Sequence, residues 1–199
     1  MGQYSVISLS LKSAKQPSFE MAYASILDEL ALEFDRHKSI LNSNELSEDE
    51  KALYKKFIKR QASEWESFRG LKFLSNCLQK VYQKNVIILL DEYDVLLENA
   101  WFSGFYEQMT DFIRSLFESA LKTNPSLEFA VITGCLRISR ESILTGVNSL
   151  EIISVLSNRY SEHFGFTVPE VEDILCFYNI EGKRWYDGYF FGNTEVYNP

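Results

Sequence analysis

The spacing of hydrophobic and polar positions changes several times along this chain, and each change marks an element. Tyr4 to Leu11 is rich in β-formers and predicts a strand that begins almost at the first residue. From Ser18, a candidate N-cap, Phe19, Ala22, Tyr23, Ile26, Leu30 and Phe34 recur at helical spacing and predict an amphipathic helix. A polar connection from Asn42 to Glu48 follows. Ser47 and Glu50 then form a capping box for a helix expected to carry Leu53, Ile58 and Trp65 on its apolar side. Leu71, Leu74, Leu78 and Val81 mark one more helix. The unbroken aliphatic run Val86-Ile87-Ile88-Leu89-Leu90 reads differently, as a strand buried on both faces in the middle of a parallel sheet.

Beyond Asp94 the helical period returns, with Phe105, Met109, Phe112, Leu116 and Ala120 on one face until Asn124-Pro125 stops it. Leu127 to Thr133 predicts a strand ending at Gly134, and Ile152 to Leu156 a further strand of the same sheet. Thr167 and Glu170, with Pro169 in the first turn, start a short helix by a second capping box. Gly192-Asn193 predicts a tight hairpin between Tyr189-Phe190-Phe191 and Val196-Tyr197. Strands alternating with helices indicate an α/β architecture with a largely parallel sheet. The long helical stretch between the first two strands predicts an inserted helical subregion.

Composition narrows the picture. A chain of 199 residues with 46% hydrophobic content supports one sizeable core with room for a small appendage. The 15 Phe and 11 Tyr make that core strongly aromatic. A net charge of -8 argues against non-specific nucleic-acid binding over the whole surface, while leaving a local basic site open. Cys77, Cys135 and Cys176 are far apart and form no CxxC or His/Cys cluster, so free thiols in a reducing cytosol are expected. No signal peptide and no membrane-spanning apolar run is visible, and a soluble cytoplasmic protein is the expectation.

Chemistry concentrates where the aliphatic strand meets Asp91 and Glu92. Parallel sheets hold ligands in the crevice at the C-terminal ends of their strands. An acid pair there needs a cation or a polar partner. In phosphate-loop nucleotide hydrolases the first acid holds Mg²⁺, and the second orients or deprotonates the attacking water. Asp91-Glu92 fits this Walker B pattern, although a solvated acidic turn after a strand has the same local sequence. Asp94 is expected on the opposite side, as a turn acid. Thr133-Gly134-Cys135-Leu136-Arg137 leaves the strand expected beside the acidic one. Its hydroxyl suits an attacking water or terminal phosphate, and Arg137 suits developing phosphate charge. A glycine turn with Arg137 or Arg140 pairing Glu141 fits equally well.

Other candidates are weaker. A nucleophilic Cys135 lacks an Arg at the phosphatase-loop spacing, since that position is Glu141, and a buried inert thiol is the favoured reading. Lys51, Lys55, Lys56, Lys59 and Arg60 read as a solvated face balanced by Glu48, Asp49 and Glu50. No GxxxxGK[ST] stretch occurs. Gly182-Lys183 lacks the earlier Gly and the following hydroxyl, so no phosphate cradle is encoded.

Taken together, Leu90-Asp91-Glu92-Tyr93-Asp94, Thr133 to Ser139, Glu141-Ser142-Ile143, Phe164-Gly165-Phe166-Thr167, Trp185 to Tyr189 and Val196-Tyr197-Asn198-Pro199 resemble the predicted AAA-ATPase-like family. Members often carry a restriction-endonuclease-like nuclease domain after the ATPase part. The resemblance implies a P-loop NTPase-like, AAA-like fold: a mostly parallel sheet flanked by helices, here missing the first strand, phosphate loop and helix. Residues 1–165 would be the truncated core, and 166–199 the start of a C-terminal lid or winged-helix-like region. It implies ATP and Mg²⁺ as cofactors, Asp91 and Glu92 as metal ligands, Asp91 toward the nucleotide, and Glu92, Thr133 and Arg137 as catalytic groups. Family members begin with a Walker A loop, roughly Arg-Arg-Phe-Gly-Lys-Thr, which this chain lacks. Leu96 stands where Pro is common, and Phe190 where a basic residue is usual. The expectation is a fragment or degenerate paralogue with impaired or absent ATP hydrolysis. Its partners would be a nuclease-like domain, a full-length homologue or further copies of itself, with no membrane contact and nucleic acid only indirectly. The alternative is a non-catalytic protein-interaction module.

Overall fold

The computed structural model describes residues 2–135, 150–180 and 188–197. The chain divides into two compact units, Met1–Asn148 and Ser149–Pro199.

The first unit is built on a parallel sheet of β1 (Ser5–Ser10), β2 (Val86–Asp91) and β3 (Leu127–Ile132), in that spatial order. Parallel neighbours need crossover connections, and helices supply them. Between β1 and β2 lie α1 (Phe19–Arg36), α2 (Glu48–Ile58), α3 (Glu64–Ser67) and α4 (Gly70–Tyr82), the inserted helical stretch expected from sequence. Between β2 and β3 lie α5 (Tyr93–Ser103) and α6 (Tyr106–Phe117), split at Gly104, whose φ of 82° ends α5 in the left-handed conformation. The sequence pattern had shown only the second of these two helices.

The caps form as the sequence predicts. The Ser18 side chain accepts from the Met21 backbone N–H, and Ser47 with Glu50 closes a capping box on α2. A further box, Ser63 with Glu66, starts a separate short helix, α3. Trp65 sits on that helix and is 64% exposed, so it does not share the buried side of α2 as expected.

Ile7, Leu9, Ile88 and Leu90 point into a core closed by α1, α4, α5 and α6. Beside it Phe34 stacks on Phe57 with ring centroids 4.3 Å apart and meets Tyr54 edge-on at 4.8 Å. The Tyr54 hydroxyl donates to the Phe34 carbonyl at 2.8 Å, which satisfies the one polar atom of that ring in a buried site.

Among the described residues nothing covers the other face of the sheet. Register pairs Ile87 with Phe129 and Leu89 with Val131, so these side chains share one side. Leu89 is 36% exposed, Phe129 58% and Val131 37%. The expectation of a β2 buried on both faces therefore fails on this side: the strand alternates buried and accessible positions.

In the second unit, β4 (Phe166–Thr167), β6 (Thr194–Tyr197) and β5 (Tyr189–Phe191) form an antiparallel sheet in that order. Gly192, at φ 54°, turns the predicted hairpin. Glu170 accepts from the Thr167 N–H at 2.8 Å and starts α7 (Val168–Tyr178). Residues 150–154 are irregular and belong to this unit, so the strand predicted over Ile152–Leu156 is not part of the parallel sheet. The division between units thus falls before the segment 150–165.

Candidate functional site

The C-terminal ends of β2 and β3 lie side by side. The Thr133 N–H donates to the Leu90 carbonyl at 2.8 Å, extending the β2–β3 ladder past the last strand residue. Its hydroxyl donates to Asp91 Oδ1. On the other flank the Leu11 N–H donates to the Asp91 carbonyl at 2.9 Å, so the chain leaving β1 follows β2 to its end. This brings Lys12 Nζ to 3.7 Å from Glu92 Oε1. Three consecutive strand ends thus converge on one acid pair.

Glu92 is held in the left-handed region, at φ 55° and ψ 40°, directly before α5. Such a conformation is uncommon for a residue with a Cβ and persists where surrounding structure enforces it. Here the ladder fixes Asp91 on one side and α5 fixes Tyr93 on the other. Glu92 Oε2 is enclosed without a hydrogen-bond partner among the described residues, while Oε1 faces Lys12. A carboxylate with one shielded, unsatisfied oxygen has spare capacity for a cation or a water.

Asp94 corrects an expectation. It does not point away from the crevice; it is buried in the first turn of α5, against the chain that leaves β3. A Cβ added to Gly134 would lie 2.8 Å from Asp94 Oδ1 and 3.0 Å from the Tyr93 ring. Glycine at 134 therefore lets the two strand ends close on each other.

Among the described residues no cluster of three or more metal-ligating side chains occurs. Asp91, Glu92 and the Thr133 hydroxyl form a smaller oxygen-only set. That chemistry suits Mg²⁺, which is commonly held by one or two carboxylates and completes its shell with water and phosphate oxygens. Arg137, the cation expected here, lies outside the described residues, as do Arg140 and Gly182-Lys183.

Asp91 and Thr133 are thus brought together, while Glu92, next in the chain, turns a carboxylate oxygen toward Lys12. Lys12 and the inward-facing Asp94 were missed by sequence reasoning. Nothing local marks Lys12; only the pairing of β1 with β2 reveals it. The signal for Asp94 was its place in the first turn of a helix, where an acid meets the positive end of the helix dipole. Cys135 is exposed rather than buried.

A family model described as predicted AAA-ATPase matches residues 1–144. The chain is also similar to a protein of Azotobacter chroococcum mcd 1 described as an uncharacterized protein in the vnfD 5' region. The two are 30% identical over 122 residues, which cover 58% of this chain and 23% of that protein. The chain thus spans less than a quarter of the length of that relative. No solved structure matches the present chain.

Proposed function

Because this chain belongs to the predicted AAA-ATPase family, we propose that the β2–β3 strand ends are the acidic half of a Mg²⁺-dependent ATP-hydrolysing site. The phosphate-holding half is supplied by polypeptide outside residues 1–199. The observation that carries this reading is the Thr133–Asp91 hydrogen bond at two adjacent parallel strand ends, beside a Glu92 with one unsatisfied carboxylate oxygen.

When bound, Mg²⁺ would neutralise phosphate charge next to Asp91. Asp91 would bind it, with the Thr133 hydroxyl fixing which carboxylate oxygen is presented. Glu92 would orient a water and take its proton, and Lys12 would restrain that carboxylate between turnovers. Arg137 would steady phosphate charge. Without a phosphate cradle the chain binds nucleotide too weakly to turn it over.

Two features support completion on the β3 side. Among the described residues nothing pairs with the outer edge of β3. Nor do the described residues cover the face bearing Ile87, Leu89, Phe129 and Val131, and an aliphatic run such as Val86–Leu90 suits a strand covered on both faces. A strand–loop–helix added there would cover the face and bring its loop to Asp91.

The chain alone should release no phosphate from Mg²⁺-ATP. The same chain extended at its N-terminus by a strand–loop–helix with a Gly-Lys-Thr loop should hydrolyse ATP and lose turnover in Glu92→Gln. An extended chain that hydrolyses ATP equally well with Gln at 92 would refute the assignment. A second reading, a nucleotide-free interaction module, is favoured by the exposed Phe177, Tyr178 and Phe190 of the second unit. Titration of the extended chain with Mg²⁺-ATP separates the two, since the module should give no heat. A cytoplasmic location belongs to the proposal too; among the described residues no helix is long and apolar enough to cross a membrane.

A further inference from the structure

The inserted helices build a second concavity that the strand-end site does not use. A cleft of about 770 Å³ opens between α2–α4 and the segment 115–123 that runs from the end of α6, within the size range of ligand clefts. Trp65 and Phe68 form its aromatic wall, with Trp65 largely exposed and set edge-on to Phe68. The Arg69 guanidinium lies 4.7 Å from the centre of the Trp65 ring, which holds the indole in place. Lys72 and Lys122 line it too, and Lys72 Nζ donates to the Thr123 hydroxyl at 3.2 Å.

What sets these cations apart is that they gather in one concavity. Several other basic residues pair with acids: Arg36 with Glu33, Lys51 with Glu48, Arg60 with Asp28, Lys80 with Glu50. Among the described residues Arg69, Lys72 and Lys122 form no ion pair, and all three face one cleft. Two acids also line it. Glu66 is neutralised by Lys56 at 2.9 Å and accepts from the Ser63 backbone, which leaves Glu118 alone against three cations. Ser115, Ser119 and Thr123 add hydroxyls along the wall at successive turns.

We propose that this cleft binds a single-stranded nucleic acid segment, with bases against Trp65 and Phe68 and phosphates at Arg69, Lys72 and Lys122. Aromatic platforms interleaved with cations bind single strands without sequence preference, because every base has a stacking face. The chain's net charge of -8 keeps binding local to the cleft and weak at high salt. The proposal is independent of the ATP reading, since no residue is shared between the two sites.

The test is fluorescence anisotropy of a short fluorescein-labelled oligothymidylate titrated with the full chain over a range of salt. Three phosphate contacts predict a slope of log affinity against log salt of about -2. Trp65→Ala should weaken binding at least about fivefold, the low end of one lost base stack. Lys72→Glu/Lys122→Glu should flatten the slope to about -0.7. Lys15→Glu/Lys84→Glu changes the charge equally, touches no residue of the cleft, and should keep the slope. The far-ultraviolet circular dichroism of each variant confirms its fold. Absence of binding at low salt overturns the proposal. So does an equal loss in the control pair, which means diffuse charge, or displacement by poly-glutamate as readily as by unlabelled oligonucleotide, which means an acidic protein ligand.

Discussion

The two flanks of the parallel sheet are treated in opposite ways. On the β1 flank the outer edge is occupied: Ser8 donates its N–H to Glu33 Oε1 at 2.8 Å, and Arg36 and His37 reach the Val6 carbonyl. Charged side chains thus consume the edge donors and acceptors that would otherwise template another strand. On the β3 flank no such plug exists among the described residues, and the adjoining face shows Phe129 and Val131. One flank is finished by the chain itself. The other has the surface of a strand and face awaiting a neighbour, and it is the flank that carries Thr133.

The largest effect should come from the closed flank. Phe34→Ala removes the centre of the stacked cluster with Tyr54, Phe57 and Phe73, and should cost about 3–5 kcal/mol in urea denaturation. A loss below about 1 kcal/mol would mean that the cluster is not tightly packed.

Glu33 comes next. Burial pushes its carboxyl up, but hydrogen bonds from His37, Arg36 and Ser8 outweigh this and hold it below the usual glutamate range. A lowered native pKa gives stability that is fully present above the unfolded value and is lost as pH falls through the native one. Stability should therefore decline on acidification below about pH 4.5, and Glu33→Gln should be less stable near neutrality by about 2 kcal/mol with a flatter acid limb. Parallel acid limbs in the two proteins would show that Glu33 does not plug the edge as a charged group.

At the junction of the open flank, Gly134→Ala forces a methyl to within 2.8 Å of Asp94 Oδ1. The buried Asp94 and Tyr93 side chains or the chain leaving β3 must shift, at a cost of about 1–3 kcal/mol, measured by thermal melting. Wild-type stability in this variant would place Asp94 elsewhere.

The smallest effect is the sharpest contrast. Phe129→Thr, also the loss of an aromatic ring but on the uncovered face, should change stability by less than about 0.5 kcal/mol and raise solubility. Destabilisation comparable to Phe34→Ala would mean that something already covers that face.

Much of this was legible from local sequence. Ser18, Ser47 with Glu50, and Thr167 with Glu170 begin helices because a side-chain oxygen meets a backbone N–H only three residues away. Gly192 turns the hairpin because its backbone tolerates positive φ. Asp91-Glu92 stood out because an aliphatic run stopped abruptly at two charges. Trp65 misled because a helical period was carried through a break: Ser63 caps a new helix, which rotates the indole out to solvent. The aliphatic content of β2 showed a preference for two buried faces but not what covers them.

Sequence alone determined the three strands of the parallel sheet, the helix caps, the hairpin turn, the acid pair and the lack of a GxxxxGK[ST] stretch, because those depend on neighbours a few residues apart. Tertiary structure alone decided that Thr133 grips Asp91, that Lys12 meets Glu92, that Asp94 turns inward and that β3 lies bare among the described residues. Those facts rest on register and layer order between segments dozens of residues apart. No local period encodes such long-range choices, since they are made by which faces bury together.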